Sequence, residues 1–377
     1  MSNTDLTDNL TDNLRDTGGH EVERENLGRL FTGLWRLGSN ALVAWFPNES
    51  GIEILTVPKI RLFSSSAAHP RVFDGARLMD KETFDEVGRA LNVQPIEIRL
   101  DQKIGIEPDQ TPPGIVERVF RNYTTTKTQN RMVYLVDIVG FSRFSAEAQA
   151  SQLATLEFAL NIAETMATER GIEANLMRST TGDGFYVWNR SSGLEADMNC
   201  LVVIVLFLTY HAALQRTVGD PTAVPEIRSC LSVGSHYTYY QPSMSTTAAW
   251  EYIVGEVTIS VARLIAGCKP GQIMLGDFTR SSEDGGPDLD SAKFIAEVVE
   301  RIQALKGLNL PGGAIERAVA YLTGPQAQDG GYRNQRMSVT DKHGLKHYCY
   351  NLKINVFSDD ADPFLIGVQH SELFKPK

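Results

Sequence analysis

Residues 131–142, RMVYLVDIVGFS, carry a short apolar run that stops at Asp137. A run of that length fits a buried strand. Residues 179–188, STTGDGFYVW, continue the pattern: Glu173–Ser179 and Phe185–Trp188 read as two strands joined by a tight Thr-Thr-Gly-Asp-Gly hairpin. Between the first strand and this hairpin, Ala146–Arg170 has helical spacing through Leu153, Leu156, Leu160, Ile162 and Met166. A second helix over Ala196–Arg216 and a long strand over Glu226–Tyr240 complete a βαββαβ order. That order predicts an α+β fold with a ferredoxin-like core and an antiparallel-rich sheet carrying its helices on one face. A doubly wound sheet is excluded, because no glycine-rich turn follows the first strand.

Further along, Val257–Gly267 is helical and ends on a C-cap glycine. Lys269-Pro270-Gly271 turns the chain into a strand at Gln272–Leu275, Ser291–Leu305 is helical, and His347–Val356 closes the domain as a strand. In the other direction the pattern is less regular. Residues 1–22 repeat Thr-Asp-Asn-Leu and cannot bury a core, so they are expected to be disordered. Residues 23–115 read as a small accessory segment with Phe31, Trp35 and Trp45, and with a helix over Asp80–Leu91 capped by Asp80. The joint is placed at Asp109–Gly114 (DQTPPG), the main domain at 131–355, and a C-terminal tail at 356–377.

The formal net charge is −10, which opposes non-specific binding to nucleic acid; any polyanionic ligand must meet local cations or metal ions. The longest apolar run, Leu201–Leu208, is eight residues against the roughly 20 of a membrane span, so no membrane partner is expected. Cys200, Cys230, Cys268 and Cys349 lack metal-ligand spacing and read as reduced, buried thiols of a cytoplasmic protein.

Asp137 at a strand end and Asp183 in the hairpin fall on strands that should be sheet neighbours, about 4.8 Å apart. Two such carboxylates suit a pair of Mg²⁺ or Mn²⁺ ions on a triphosphate. Gly140, Gly182 and Gly184 would let the backbone approach closely. Spacing alone fits equally a turn aspartate and an ordinary Gly-Asp-Gly hairpin.

These residues resemble the class III nucleotidyl cyclase family. Asp137-Ile138-Val139-Gly140-Phe141-Ser142 is similar to its first metal motif, and Thr181-Gly182-Asp183-Gly184-Phe185 to its second. Val254-Gly255 with Val261-Ala262-Arg263-Leu264 resembles its Gly-x-x-Val-Asn-x-Ala-Ala-Arg-Leu helix, and Lys269–Ile273 the turn after it. Lys342-His343-Gly344-Leu345-Lys346-His347-Tyr348 resembles its late strand pair. The resemblance implies that Asp137, Asp183 and the Ile138 carbonyl hold two Mg²⁺ or Mn²⁺ ions. It further implies that backbone N–H groups from Val139 through Gly140 and Phe141 to Ser142 cradle phosphates, that Arg263 stabilises the transferring phosphoryl group, and that Lys342 grips the terminal phosphates. Lys306 competes with Lys342 for that last part. In the family these groups come from two polypeptides packed head to tail, which implies a homodimer. His343 and His347 read as strand residues.

Three positions depart from the family pattern. Ile259 stands where the helix asparagine belongs, so either Ser260 substitutes or that role is absent. Ser179 and Tyr252 stand at the two base-reading positions, where neither the adenylate pair, Lys and Asp, nor the guanylate pair, Glu and Cys, is present. Tyr252 would narrow the pocket in favour of a pyrimidine, with Arg178 and Glu251 near its edge. That pattern is similar to the bacterial pyrimidine cyclases of phage defence (Pycsar), which implies UTP ahead of CTP and a cyclic product read by a separate effector.

Overall fold

The computed structural model describes residues 21–64, 69–107, 110–220, 222–242, 249–282, 285–311, 313–326, 328, 333–359 and 362–374. The expectation for the first 20 residues, and for the last three of the tail, lies outside the described residues. The chain forms two compact units, Met1–Thr128 with Tyr237–Val254, and Gln129–His236 with Gly255–Lys377. Residues 109–114 thus fall inside the first unit, and so does a hairpin from the middle of the chain.

In the first unit, helix α1 (Glu21–Trp35) precedes strands β1 (Asn40–Asn48) and β2 (Gly51–Pro58). Helices α2 (Lys59–Ser64) and α3 (Lys81–Leu91), strand β3 (Ile96–Arg99) and helix α4 (Pro113–Arg121) follow. The strands make an antiparallel sheet in the order β1-β2-β3. Alternation along them feeds two cores: Leu42, Ile52 and Ile54 meet Phe31 and Phe120 of α1 and α4, while Val43, Leu55 and Val57 meet Leu62, Phe84 and Val87 of α2 and α3. Asp80 caps α3, as its sequence position predicts, by accepting the Thr83 N–H at 2.8 Å. Tyr237 adds its ring edge-on to Phe73, with centroids 5.2 Å apart.

The second unit is built from β4 (Thr125–Ile138) beyond Thr128, α5 (Ala146–Glu169), β5 (Leu176–Thr180), β6 (Gly184–Asn189), α6 (Leu194–Val218) and β7 (Ile227–Pro242) as far as His236. After β8 (Ala249–Val254) come α7 (Glu256–Ala266), β9 (Ile273–Gly276), β10 (Thr279–Arg280), β11 (Leu289–Asp290), α8 (Ser291–Ile302), β12 (Asn309–Leu310) and β13 (Gly313–Thr323). Strands β14 (Met337–Thr340), β15 (Lys346–Ser358) and β16 (Phe364–Ile366) and helix α9 (His370–Leu373) end the chain. The sheet runs β12-β13-β15-β9-β7-β4-β6-β5, with β14 and β16 also paired to β15. The fold is α+β, with the βαββαβ order in place.

Met132, Tyr134, Val136 and Ile138 alternate into one core with residues of α5, α6 and α8. Helix α6 is apolar and long enough to cross a membrane, but 83% of that window is buried inside the protein, which makes it the central core helix here. The helices are not confined to one face. Leu231 joins the α6 core, while the next-door Cys230 points the other way and places its thiol 3.2 Å from the Val261 carbonyl of α7. Period-3.6 spacing identified the buried side of α7 (Val257, Val261, Leu264, Ile265) but carries no information about which sheet face it meets. The final segment is also more ordered than a tail: β15 continues to Ser358, and Phe364 of β16 enters the core.

Candidate active site

Asp137 is the last residue of β4 paired to β6, opposite Gly184. Its neighbours Val136 and Ile138 face the α5/α6 core, so the Asp137 side chain emerges on the α7 face. One residue from its partner stands Asp183, locked in place when the Ile138 N–H donates to the Asp183 carbonyl at 2.9 Å. The turn between β5 and β6 is closed by the Thr181 N–H donating to the Gly184 carbonyl at 3.0 Å, and the Thr181 hydroxyl donates to Asp183 Oδ1 at 3.2 Å. The two glycines flanking Asp183 serve different needs. Gly182 adopts φ +99° with open space around it, whereas a Cβ on Gly184 would lie 1.9 Å from the Val136 carbonyl oxygen.

The Asp137 carboxylate is only 11% exposed, and burial raises its pKa. The adjoining Asp183 raises it further, while Arg228 pulls it back. Arg228 is the residue the sequence reading missed. Its Nε lies 2.6 Å from Asp137 Oδ2, and its Nη1 reaches the Cys268 carbonyl just past α7 at 3.4 Å. A lone cation at the second position of the apolar strand IRSCLSV was the available signal.

The donors at this end of the sheet are two carboxylates and the main chain of Ile138, whose side chain is buried in the core. Among the described residues no group of three or more His, Cys, Asp or Glu gathers as a metal cage. Two carboxylates with hard oxygen donors fit Mg²⁺ or Mn²⁺, which complete their shells with phosphate and water. After Asp137 and Ile138 the chain turns at Gly140, φ +70°, into a single 3₁₀ turn, Phe141–Arg143. The Val139 N–H is already spent on the Glu226 carbonyl at 2.9 Å, so the expected four-residue phosphate cradle shrinks. Among the described residues no backbone acceptor pairs with the N–H groups of Gly140, Phe141 and Ser142.

A second cluster holds the expected cations. Arg263, 34% exposed on α7, places Nε 3.5 Å from Asp341 Oδ2. Lys342 follows Asp341 on an exposed turn between β14 and β15. Lys306 lies elsewhere, just beyond α8. Ile259, one turn before Arg263, is 55% exposed, and Ser260 beside it is half-buried. Ser179 sits on β5 in the second unit. Tyr252 sits on β8 in the first, its ring stacked on Tyr239 at 5.6 Å and 13°. Arg178 turns to the α5 side and pairs with Glu164 at 3.2 Å. The structure thus gathers Asp137, Asp183, Ile138 and the Gly140 turn at one strand end, and brings Arg263 to the turn that carries Lys342.

Solved structures with a similar fold include the adenylyl cyclase CyaB from P. aeruginosa, 14% identical, covering 63% of this chain and 98% of that one at a TM-score of 0.38. The guanylyl cyclase Cya2 is 12% identical, covering 64% and 97% at 0.37. The guanylate cyclase domain of RhGC from Catenaria anguillulae in complex with GTP is 15% identical, covering 62% and 100% at 0.36. No family model matches the sequence, and no curated protein matches it.

Proposed function

We propose that this chain is a metal-dependent nucleotidyl cyclase that closes a nucleoside triphosphate to its 3′,5′-cyclic monophosphate and releases pyrophosphate. The observation that carries the reading is the pair Asp137 and Asp183, set side by side at the ends of bonded strands with the Ile138 main chain between them. Two Mg²⁺ or Mn²⁺ ions held there would acidify the ribose 3′-hydroxyl and offset the charge of the triphosphate. The N–H groups of Gly140 to Ser142 supply a neutral cradle for phosphate oxygens. Arg263 and Lys342 supply the countercharge for the transferring and leaving phosphates. The sequence resemblance supports completing the site with a second copy, Arg263 of one subunit facing Asp137 of the other.

The base is proposed to be a pyrimidine, UTP ahead of CTP, on residue types alone: the Ser179 hydroxyl donates or accepts, and the planar Tyr252 ring takes space a purine would need. Adenylate or guanylate cyclase with altered base contacts is the alternative within the same chemistry. The proposed role of the product, a cyclic UMP or CMP signal read by a separate effector during phage infection, rests on the sequence resemblance. Exposed Ile259 in place of a polar partner favours a second reading, a nucleotide-binding dimerisation module without turnover. Incubating the protein with each of the four triphosphates and Mn²⁺, then identifying the product by mass, separates the pyrimidine, purine and no-turnover readings. Cyclic UMP or CMP is the expected product, and no cyclic product from any of them would sink the proposal.

A further inference from the structure

We infer that Asp341 is a positioning residue for this reaction, coupling Arg263 to the Lys342 turn so that both cations reach the triphosphate as one body; this rests on the cyclase reading above. Each oxygen of its carboxylate has a separate task. Oδ1 accepts the backbone N–H groups of His343 at 2.8 Å and Leu345 at 3.0 Å, which folds the turn that displays Lys342. Oδ2 faces His347 Nε2 at 3.2 Å and Arg263 Nε at 3.5 Å. The turn is tightened further where the Asp341 N–H donates to the Leu345 carbonyl and the Gly344 N–H to the Asp341 carbonyl, at 2.9 and 3.0 Å, with Gly344 at φ +81°.

The Asp341 side chain is 4% exposed, although the turn around it is open to solvent. Burial pushes the pKa of this carboxyl up, but the Leu345 and His343 amides, His347 and Arg263 outweigh it and bring it down to about 2. Arg263 is a long side chain with several free torsions. Fixing one nitrogen removes much of that freedom before substrate arrives, which is where a positioning residue contributes. The same anion leaves the rest of the guanidinium fork available to an incoming phosphate.

Asp341→Asn separates the two tasks. Its amide oxygen still accepts the two N–H groups of the turn, while its NH₂ sets a donor against the Arg263 guanidinium. The expected result is a kcat lower by about 10- to 100-fold with KM for the triphosphate changed less than about threefold, since misplacement costs rate more than binding. Subunit mixing gives a readout that a general loss of fold does not move. Asp341→Asn mixed with Asp183→Ala should regain about a quarter of wild-type activity, because half the dimers are mixed and each has one whole site. Asp341→Asn mixed with Arg263→Ala should regain none, because both lesions fall on the same side of the site. Full kcat in Asp341→Asn, no recovery with Asp183→Ala, or recovery with Arg263→Ala overturns the inference while leaving the cyclase reading standing. Absence of cyclic product from the wild-type chain takes down both.

Discussion

Arg228 Nε stands 2.6 Å from Asp137 Oδ2, so the carboxylate that faces Asp183 is already paired with a cation from the neighbouring strand. A divalent ion drawn to the two aspartates, whether it takes Asp137 Oδ1 or displaces the guanidinium from Oδ2, binds against that fixed positive charge. A unit charge about 4 Å away is worth on the order of 1 to 4 kcal/mol between water-like and protein-surface dielectric. Arg228→Met therefore should tighten Mn²⁺ binding by about tenfold, roughly 1.4 kcal/mol, in a direct titration without nucleotide. Unchanged or weaker binding would mean that Arg228 holds Asp137 in a binding geometry rather than competing for it.

Gly184 is the point where β6 comes closest to β4. An added Cβ would meet the Val136 carbonyl oxygen at 1.9 Å and the Asp137 Cα at 3.0 Å, both backbone atoms that cannot swing aside. Gly184→Ala is expected to cost about 2–4 kcal/mol in urea unfolding, in the range of overpacked sites, and to abolish cyclic product. Gly182→Ala meets no atom within 4 Å and suffers only from φ +99°, so its loss should stay near 1 kcal/mol. Equal losses at the two positions would refute the close-approach account.

Asp183→Ala should leave less than a few per cent of cyclase activity, because one carboxylate cannot hold two ions against a triphosphate. The fold should persist, since Asp183 is only half-buried and the Ile138 bond to it uses its carbonyl, which alanine keeps. Circular dichroism melts that match wild type, together with lost activity, are the expected pair of results.

The βαββαβ element order, and the placing of Asp137 and Asp183 at neighbouring strand ends, were legible because strand alternation and tight turns are local signals. RMVYLV buries one face, and Thr-Gly-Asp-Gly can only turn. Arg228 and Asp341 were not legible, since each acts through a residue about 80 or more positions away, Asp137 and Arg263 respectively, and pairing at that distance leaves no mark on spacing. The unit boundary was hidden for a related reason. β4 begins with the polar stretch TTKTQN, which reads as linker, yet it is one continuous strand with the apolar run after it. The side of the sheet covered by α7 depends on the alternation of Cys230 and Leu231 within β7, again a relation between distant segments.

His211 offers a prediction about pH. Its ring is buried in α6, and its Nε2 has no hydrogen-bond partner among the described residues. Burial, offset only in part by a hydrogen bond to the Pro225 backbone, lowers its pKa from 6.5 to about 4. The unfolded chain therefore takes up a proton as pH falls through 6.5, while the folded chain stays neutral until about 4. Stability is unaffected above that window and declines as pH drops across it, by about 3 kcal/mol in total at roughly 1.4 kcal/mol per unit. His211→Phe removes this titration. It also removes the bond to Pro225, at about 1 kcal/mol at neutral pH, but the Pro225 carbonyl keeps the Gln215 amide at 2.9 Å and is not orphaned. Urea midpoints measured at steps between pH 7.5 and 4 should therefore converge, the variant starting lower and losing less. Parallel curves would show that the ring is protonated within the folded state, and that acid instability in this range originates in other groups.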